Sequence, residues 1–260
     1  MASQHMLLRE DRDGVAWLTM NRPAQRNALS LDLMAAMQAA LDAIAADKTV
    51  RVVVIGGAGP AFCAGHDLRD VRANPNRAYY ENLFAQCSRL MLRLNSLPQP
   101  VIARVHGVAT ASGCQLVATC DLAVAAESAR FATPGVNIGL FCSTPMVALT
   151  RAIGRKAAME FLLTGDLVPA AEARALGLVN RVVPDAALDD AVMALAQQIA
   201  TKSPLTVKIG KEAFYHQADM ALEAAYAYAA EIMTRNMLAH DAEEGIDAFL
   251  QKRPPVWTGT

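Results

Sequence analysis

The sequence lacks the features that would place it among nucleic-acid-binding or membrane-spanning proteins. Its 260 residues include 24 Lys and Arg against 25 Asp and Glu, a formal net charge of −1, and no run of basic residues stands out. Such a balance offers no electrostatic attraction for nucleic acid, so we expect none among its partners. No uninterrupted apolar stretch of about 18 residues is present, and we therefore expect no membrane span.

Metal-binding and nucleotide-binding motifs are missing as well. The five cysteines include no CxxC pair, which predicts neither a metal site nor a disulfide framework but buried free thiols. "GAGPAF" (57–62) lacks the third glycine of a dinucleotide-binding loop, and no GK[ST] motif of a P-loop follows. "TASGC" (110–114) departs from the GxSxG motif of α/β-hydrolases, and no Ser/His/Asp order stands out.

The first residues carry no targeting pattern. "MASQHM" has neither the apolar segment of a signal peptide nor the arginine-rich length of a transit peptide. Its "HM" junction predicts that residues 1–5 are the remnant of an expression tag. These features together predict a cytoplasmic protein.

What is present is an alternation of strand and helix patterns. A strand is predicted in "GVAWLTMNRP" (14–23), and Ser30 is placed to cap a helix that follows it. The β-branched run at 50–57 is typical of a strand buried on both faces. Further segments follow in the order helix, strand, helix, strand, at 77–97, 100–107, 112–121 and 122–128. The alternation predicts an α/β fold.

The strand patterns stop after "SPLTVK" (203–208), and only helical periodicity follows. We therefore predict two parts, a core over residues 6–202 and a helical oligomerisation region over residues 203–260.

Two loops of small residues each follow a buried strand. They are "FCAGHDL" (62–68) and "HGVATASGC" (106–114). Each could present unpaired backbone N–H groups, the second at a helix N-terminus where the dipole favours negative charge. Two such donors that converge form an oxyanion hole, worth about 3–4 kcal/mol per donor in a transition state.

Six stretches in order resemble the crotonase superfamily, the enoyl-CoA hydratase/isomerase family, over nearly the whole chain. They are "NRPAQRNALS" (21–30), "FCAGHDLRD" (62–70), "HGVATASGCQLVATCDLAVAA" (106–126), "FATPGVNIGL" (131–140), "LTGDLVPAAEARALGLVNRVV" (163–183) and "FLQKR" (249–253). The resemblance implies an α/β spiral of ββα turns with a C-terminal helical trimerisation region, assembled as a trimer or a dimer of trimers.

The resemblance also implies an acyl-CoA thioester as the partner. Its carbonyl oxygen would lie between two backbone N–H groups, which by position fall on His66 and Ser112. Because backbone donors do not titrate, the side chains at these two positions are expected to be incidental, and the His66 ring to point along the CoA channel rather than act as a base. No permanently bound cofactor and no metal is implied, and coenzyme A enters only as part of the substrate.

Coenzyme A contacts are implied for the first loop and for the end of the chain. Arg69 is placed to bind the CoA phosphates, a task suited to a guanidinium, and Lys252 to reach the CoA of its own or a neighbouring subunit. Asp67 is expected mainly to stabilise the loop. The full implied set is Ala64, His66, Asp67, Leu68, Arg69, Phe249 and Lys252.

The sequence departs from the family at both catalytic acids. Hydratases of this family use two glutamates to hold a water and move its proton, and their positions match Gln115 and Gly135 here. One missing acid or base typically lowers the rate by about 10²–10⁴. We therefore expect two-glutamate hydration to be weak or absent, and Gln115→Glu with Gly135→Glu to restore it if only the acids are missing.

Few residues offer themselves as replacements. Tyr79, Tyr80 and Glu81 begin a helix that either walls the acyl pocket or is simply solvated. Cys142, next to Ser143 and Thr144 at the expected rim, is predicted to be a packed thiol because no base is visible beside it.

Three functions remain open on the sequence. The nominal reaction is hydration of a 2-enoyl-CoA in fatty-acid metabolism. The alternatives are decarboxylation of a malonyl-type CoA ester, where leaving CO₂ generates the enolate without a carboxylate base, and a non-catalytic acyl-CoA-binding or scaffold protein.

Overall fold

A computed structural model describes residues 5–260; residues 1–4, where most of the predicted tag remnant falls, lie outside this range. Its larger sheet has six strands, of which only the first two pair in antiparallel fashion. In spatial order they are β1 (Leu7–Arg12), β2 (Val15–Met20), β3 (Val52–Gly57), β5 (Val101–Val105), β7 (Leu122–Ala126) and β10 (Arg181–Val183).

A second sheet of four short strands lies beside the first. In spatial order these are β4 (Ala61–Cys63), β6 (Val108–Thr110), β8 (Arg130–Ala132) and β9 (Val168–Pro169), with only β9 antiparallel to its neighbour. The chain therefore passes from the large sheet to the small one three times, from β3 to β4, β5 to β6 and β7 to β8.

One helix precedes the first of these passages, and helices follow each of the three. They are α1 (Leu31–Ala46), α2 (Leu68–Ala73), α3 (Arg77–Ser96), α4 (Ser112–Thr119), α5 (Ser143–Ala152), α6 (Arg155–Thr164), α7 (Ala170–Ala175), α8 (Leu188–Ala200), α9 (Pro204–Gln217), α10 (Leu222–Met237) and α11 (His240–Gln251). Because two strands and at least one helix recur in this order, the predicted spiral of ββα turns is confirmed.

The large sheet is buried on both faces. On one face Leu18 and Ile55 belong to the main core with α1 and α3. On the other, Val52 and Val54 pack against Val192 of α8. This explains why "VVVI" (52–55) is apolar at successive positions instead of alternating.

Most predicted elements of the core are present, but six strands were missed: β1, β4, β6, β8, β9 and β10. The side chain of Ser30 accepts a hydrogen bond from the backbone N–H of Leu33 and caps α1, as predicted. The glycine-rich segment read as a loop contains β4, which has three residues and is held by its neighbour β6. Strand β1 is polar and mostly exposed, so its composition gave no signal for a strand.

The C-terminal part is helical, as expected, although its boundary at residue 203 stays a prediction. Ser203 caps α9, and α10 has no buried residue. No helix within residues 5–260 combines the length and the apolar composition needed to cross a bilayer.

Candidate active site

The loop that follows β4 leaves one backbone N–H group unpaired. It pairs with the segment before α1: the Leu29 N–H donates to Gly65 O (2.7 Å) and the Asp67 N–H donates to Leu29 O (3.3 Å). His66 lies between the two residues that bond to Leu29, and in such a parallel bridge its own N–H points away from Leu29. Across residues 5–260 no acceptor lies within hydrogen-bonding distance of this N–H.

The "NRPAQRNALS" stretch holds this loop in place. Asn27, in the left-handed region at φ +54°, donates from its buried amide to Ala58 O and Ala61 O, both at 2.8 Å. Arg22 pairs with Asp67 at 3.0 Å. The sequence singled out this stretch only by resemblance, and its role here is to fix the loop that carries His66.

The second loop turns sharply from β6 into α4. Ala111 adopts φ +51° and ψ −118°, a strained conformation for a residue with a side chain, and Ser112 begins the helix. The N–H of Ser112 has no acceptor in the part of the chain that the structure describes. A Cβ on Gly65 would lie 3.3 Å from the Ser112 nitrogen and 2.8 Å from the Ala111 Cβ, so the two loops are in contact.

Gly113 permits this contact. A Cβ placed on it would collide with the carbonyl oxygen of Cys63 and lie 2.9 Å from the Cys63 Cβ. The first turn of α4 therefore approaches the end of β4 with no space for a side chain. The loops that carry the free N–H groups of His66 and Ser112 can touch because Gly65 and Gly113 both lack a Cβ.

The side chains of His66 and Ser112 interact directly. Ser112 Oγ lies 2.9 Å from His66 Nδ1, and Phe84 of α3 contacts the imidazole edge-on, with the ring centroids 5.6 Å apart. Burial lowers the pKa of His66 to about 4, so the ring is neutral at pH 7. That these two side chains are incidental to the backbone donors stays a prediction, and the structure adds that each is the other's hydrogen-bond partner.

Gln115 is buried one turn into α4. Its Oε1 lies 3.9 Å from Cys87 Sγ of α3, and its Nε2 has no protein acceptor. Burial raises the pKa of Cys87 to about 12, so this neighbour is a neutral thiol. The side chain that is hydrogen-bonded to Gln115 Oε1 therefore does not exchange a proton near neutral pH.

Gly135, the second position predicted to lack a glutamate, has no room for a side chain. Its carbonyl accepts a hydrogen bond from the Leu140 N–H at 2.9 Å. A Cβ at this position would lie 2.7 Å from Leu140 O and 2.9 Å from Cys142 Sγ. Cys142 is packed, as predicted, and burial raises the pKa of its thiol. The position faces packed atoms of the 140–142 segment.

Of the other predicted residues, those of the first loop lie beside His66, whereas those at the end of the chain do not. Asp67 caps α2 by accepting from the Arg69 N–H at 3.2 Å, which agrees with a role in stabilising the loop. The Ala64 N–H is taken by Arg26 O at 3.0 Å, while Leu68 and Arg69 are exposed beside the site. Residues 5–260 contain no group of three or more His, Cys, Asp or Glu that could hold a metal ion.

Phe249 and Lys252 are not brought to this loop. Phe249 lies on α11, which packs chiefly on α9 and α10, and Lys252 caps that helix in the left-handed conformation. Phe249 is 82% exposed. Residues 79–81, considered from the sequence as a wall of the acyl pocket, begin α3. Glu81 forms an exposed ion pair with Arg77. The aromatic side chain of α3 that contacts His66 is Phe84, one turn further along the helix.

The pKa of His66 leads to a prediction on stability. Because the folded state holds this pKa at about 4, below the usual 6.5, the unfolded chain binds more protons between these values. The contribution is fully present above about pH 6.5 and is lost as the pH falls toward 4. Between about pH 7.5 and pH 5 the unfolding free energy of the parent protein is expected to fall by about 2 kcal/mol more than that of His66→Gln. Urea denaturation at the two pH values measures both decreases. Equal losses would contradict a buried, neutral His66.

Comparisons with known proteins agree with this geometry. The family model for enoyl-CoA hydratase/isomerase matches residues 10–260. An enoyl-CoA hydratase structure from Mycobacterium smegmatis is similar to this chain at 54% identity and a TM-score of 0.96, over 98% of this chain and 99% of that one.

Within the family, "GVATASGCQLVATCDLAVA" and "SARFATPGVNIGLFCSTP" predict the type called enoyl-CoA hydratase domain-containing protein 3. The human mitochondrial protein of that name is 45% identical over 95% of this chain and 81% of its own length. Its crystal structure gives a TM-score of 0.95 at 44% identity, over 97% and 100% of the two chains. The predicted likeness is confirmed, and the chain belongs to the enoyl-CoA hydratase/isomerase family.

Proposed function

We propose that this protein binds an acyl-CoA thioester and holds its carbonyl oxygen between the backbone N–H groups of His66 and Ser112. The observation that carries the proposal is the pair of unsatisfied N–H groups on two loops in contact. Negative charge develops on a thioester oxygen when the adjacent carbon loses a proton or CO₂, or when the β-carbon or the carbonyl carbon is attacked. Fixed donors that cannot titrate stabilise that charge without reorganising.

Coenzyme A enters as part of the substrate, and no permanent cofactor is part of the proposal. Ala64, Leu68 and Arg69 extend from the His66 loop toward the surface, where Arg69 is free to meet a phosphate. Lys252 and Phe249 would reach CoA across a boundary between subunits, since α11 packs away from this loop within the subunit described here.

Calorimetry with crotonyl-CoA tests the binding. Arg69→Ala and Lys252→Ala are each expected to weaken binding by about 10-fold or more, since a hydrogen bond to a charged group contributes roughly 1.5–3 kcal/mol. Arg72→Ala is the matched control, because Arg72 is an exposed cation on the same helix as Arg69. Absence of any binding of CoA esters by the parent protein would refute the proposal.

Hydration of 2-enoyl-CoA esters is expected to be slow. Gln115 can orient a water but cannot take its proton, and Gly135 contributes no side chain. Turnover of crotonyl-CoA, a 3-enoyl-CoA and methylmalonyl-CoA separates hydration, isomerisation and decarboxylation from binding alone. Fast hydration of crotonyl-CoA that survives Gln115→Ala would contradict the proposed chemistry.

Restoring both glutamates is not expected to restore hydration. Gln115→Glu conserves shape, but a side chain at Gly135 requires the Leu140 carbonyl and Cys142 to move. We expect Gln115→Glu/Gly135→Glu to lose about 2–3 kcal/mol of unfolding free energy relative to Gln115→Glu alone and to gain no hydratase activity. Urea denaturation and a crotonyl-CoA assay measure both. Restored activity with no loss of unfolding free energy would contradict this expectation, because it would mean that residues 135–142 move to accommodate the new side chain at little energetic cost.

A homo-oligomer, either a trimer or a dimer of trimers, is part of the same proposal. Apolar side chains on and after α10 remain exposed in the single subunit: Leu222 by 75%, Tyr226 by 72% and Leu238 by 84%. Such patches are unusual on a monomer and mark contact surfaces. Light scattering measures the assembly size. A cytoplasmic location stays a prediction.

A further inference from the structure

The side chains at the two donor positions form a hydroxyl–imidazole pair. Ser112 Oγ and His66 Nδ1 are 2.9 Å apart, although the residues are 46 positions apart in the sequence. Ser112 carries both this hydroxyl and an unpaired N–H, and it follows the strained residue Ala111 at the turn into α4. We propose that Ser112 is a nucleophile, His66 is its general base, and the protein hydrolyses acyl-CoA thioesters through an acyl-serine. The inference rests on the proposed acyl-CoA binding.

The position of the hydroxyl suits an attack on the bound carbonyl. A thioester oxygen that accepts the Ser112 N–H places its carbonyl carbon near the side chain of the same residue. Serine hydrolases of the trypsin type use this arrangement, in which the nucleophile's own N–H is one of the two oxyanion donors. A nucleophile held close to the reacting carbon gains from proximity alone, because no second molecule has to be oriented.

His66 is the only base in contact with this hydroxyl among the residues of the structure. Its ring is neutral, since burial holds its pKa at about 4, and in the tautomer with the hydrogen on Nε2 the Nδ1 atom accepts the proton of the hydroxyl. The carboxylate of Asp67 is engaged by Arg22 and by the start of α2. Phe84 meets the ring edge-on and helps to fix its orientation. The low pKa makes His66 a weak base, so slow turnover is expected.

The nearby thiols do not compete as nucleophiles. Burial raises the pKa of Cys63, Cys87 and Cys114 to about 12, and also raises that of Cys142. All four are therefore protonated near pH 7, whereas the reactive form of cysteine is the thiolate. The Ser112 hydroxyl is the group with both a base and an adjacent oxyanion donor.

The reaction balances with water as the only co-reactant. Ser112 Oγ attacks the thioester carbonyl carbon as its proton passes to His66 Nδ1, and the oxyanion lies between the two backbone N–H groups. The C–S bond then breaks, and the CoA sulfur takes the proton from His66 and leaves as a free thiol. Water attacks the acyl-serine and gives its proton to His66. The C–O bond to Ser112 breaks, Ser112 recovers that proton, and the product is a carboxylic acid.

Saturated esters isolate this activity, because acetyl-CoA and hexanoyl-CoA have no double bond to hydrate. The parent protein is expected to release free CoA, detected with a thiol reagent, and Ser112→Ala to release it at least about 100-fold more slowly. Calorimetric affinity for the ester should change by less than about threefold, since Ser112→Ala keeps the backbone donor. Ser96→Ala is the matched control, an exposed serine at the last position of α3.

Mass spectrometry of the acid-quenched protein identifies the intermediate. One acyl group should be found on the peptide that contains Ser112 in the parent protein and in Ser96→Ala, and be missing from Ser112→Ala. Ser112→Gly serves as a second variant if the alanine protein fails to fold, because it removes the same hydroxyl. His66→Gln should also lower CoA release by about 100-fold.

The outcomes separate this inference from the function on which it rests. No binding of the esters by the parent protein would refute the proposed function and this inference together. Binding without CoA release, or release that survives both Ser112 variants, would refute the acyl-serine alone. In either of those cases the Ser112–His66 hydrogen bond would serve only to shape the oxyanion hole.

Discussion

Replacing Lys211 by methionine is expected to lower the unfolding free energy by about 3–5 kcal/mol, because it leaves a buried carboxylate without its cation. Lys211 lies on α9 with its side chain only 7% exposed. Its ammonium group donates to the carbonyl oxygens of Leu94 (2.9 Å) and Gln99 (3.0 Å) and to Asp121 Oδ2 (2.7 Å). Burial lowers the pKa of Lys211 against the opposing effect of Asp121.

Asp121 is the centre of this cluster. Its carboxylate also accepts the hydroxyl of Tyr215 at 2.8 Å and the N–H of Val101 at 2.6 Å. It therefore joins the start of β5, the start of β7 and the first C-terminal helix. Because the Lys211 and Asp121 positions are 90 residues apart, the ion pair attaches α9 to the core.

Urea denaturation at fixed pH and protein concentration measures the effect, with Lys208→Met as the control. Lys208 is an exposed lysine three residues earlier on α9, so its substitution removes the same charge without breaking a buried contact. Lys211→Met combined with Asp121→Asn is expected to cost less than the sum of the two single changes, since each removes the other's partner. Similar losses for Lys211→Met and Lys208→Met would mean that the cluster does not hold α9.

Gly113→Ala is expected to disrupt both the fold and the oxyanion hole. The added Cβ would collide with the Cys63 carbonyl oxygen, a backbone atom that can move only if the loop carrying His66 moves too. We expect a loss of about 3 kcal/mol in unfolding free energy from overpacking. A displaced N–H donor should lower the rate of any reaction through the oxyanion by about 10²–10³.

The absorbance of bound cinnamoyl-CoA provides a direct measurement, because its band moves to longer wavelength when the thioester carbonyl is polarised. The parent protein is expected to produce this shift and Gly113→Ala to lose most of it. Gly154→Ala is the control, since a Cβ on Gly154 meets no atom within 4 Å. A full shift in Gly113→Ala would show that the two loops need not touch for the donors to converge.

The two positions predicted to lack glutamates differ in the space around them, which the sequence does not reveal. From the sequence, Gln115 and Gly135 are two substitutions of the same kind, and adding two carboxylates is the obvious remedy. In the structure only Gln115 occupies a place where a carboxylate of similar size would fit. Gly135 is enclosed by Leu140 and Cys142. A chemistry that uses the oxyanion donors with a nearby hydroxyl therefore fits this site better than repaired hydration.

The sequence by itself determined the elements of the spiral and the loops of the site. The β-branched run of β3, the Ser30 cap of α1 and the small residues of "ATASGC" act through their neighbours in the chain, so a local pattern is enough to predict them. Even the donor positions at 66 and 112 could be predicted, by resemblance, because backbone groups do not depend on the side chains that carry them.

Tertiary structure alone decided which distant groups meet. The Ser112–His66 hydrogen bond, the Lys211–Asp121 ion pair and the absence of space at Gly135 each depend on how loops pack across the two sheets. Nothing in the residues beside Ser112 indicates that an imidazole 46 positions away lies 2.9 Å from its hydroxyl. Such contacts result from burial of the common core, which brings chain segments together without leaving a periodic pattern in either one.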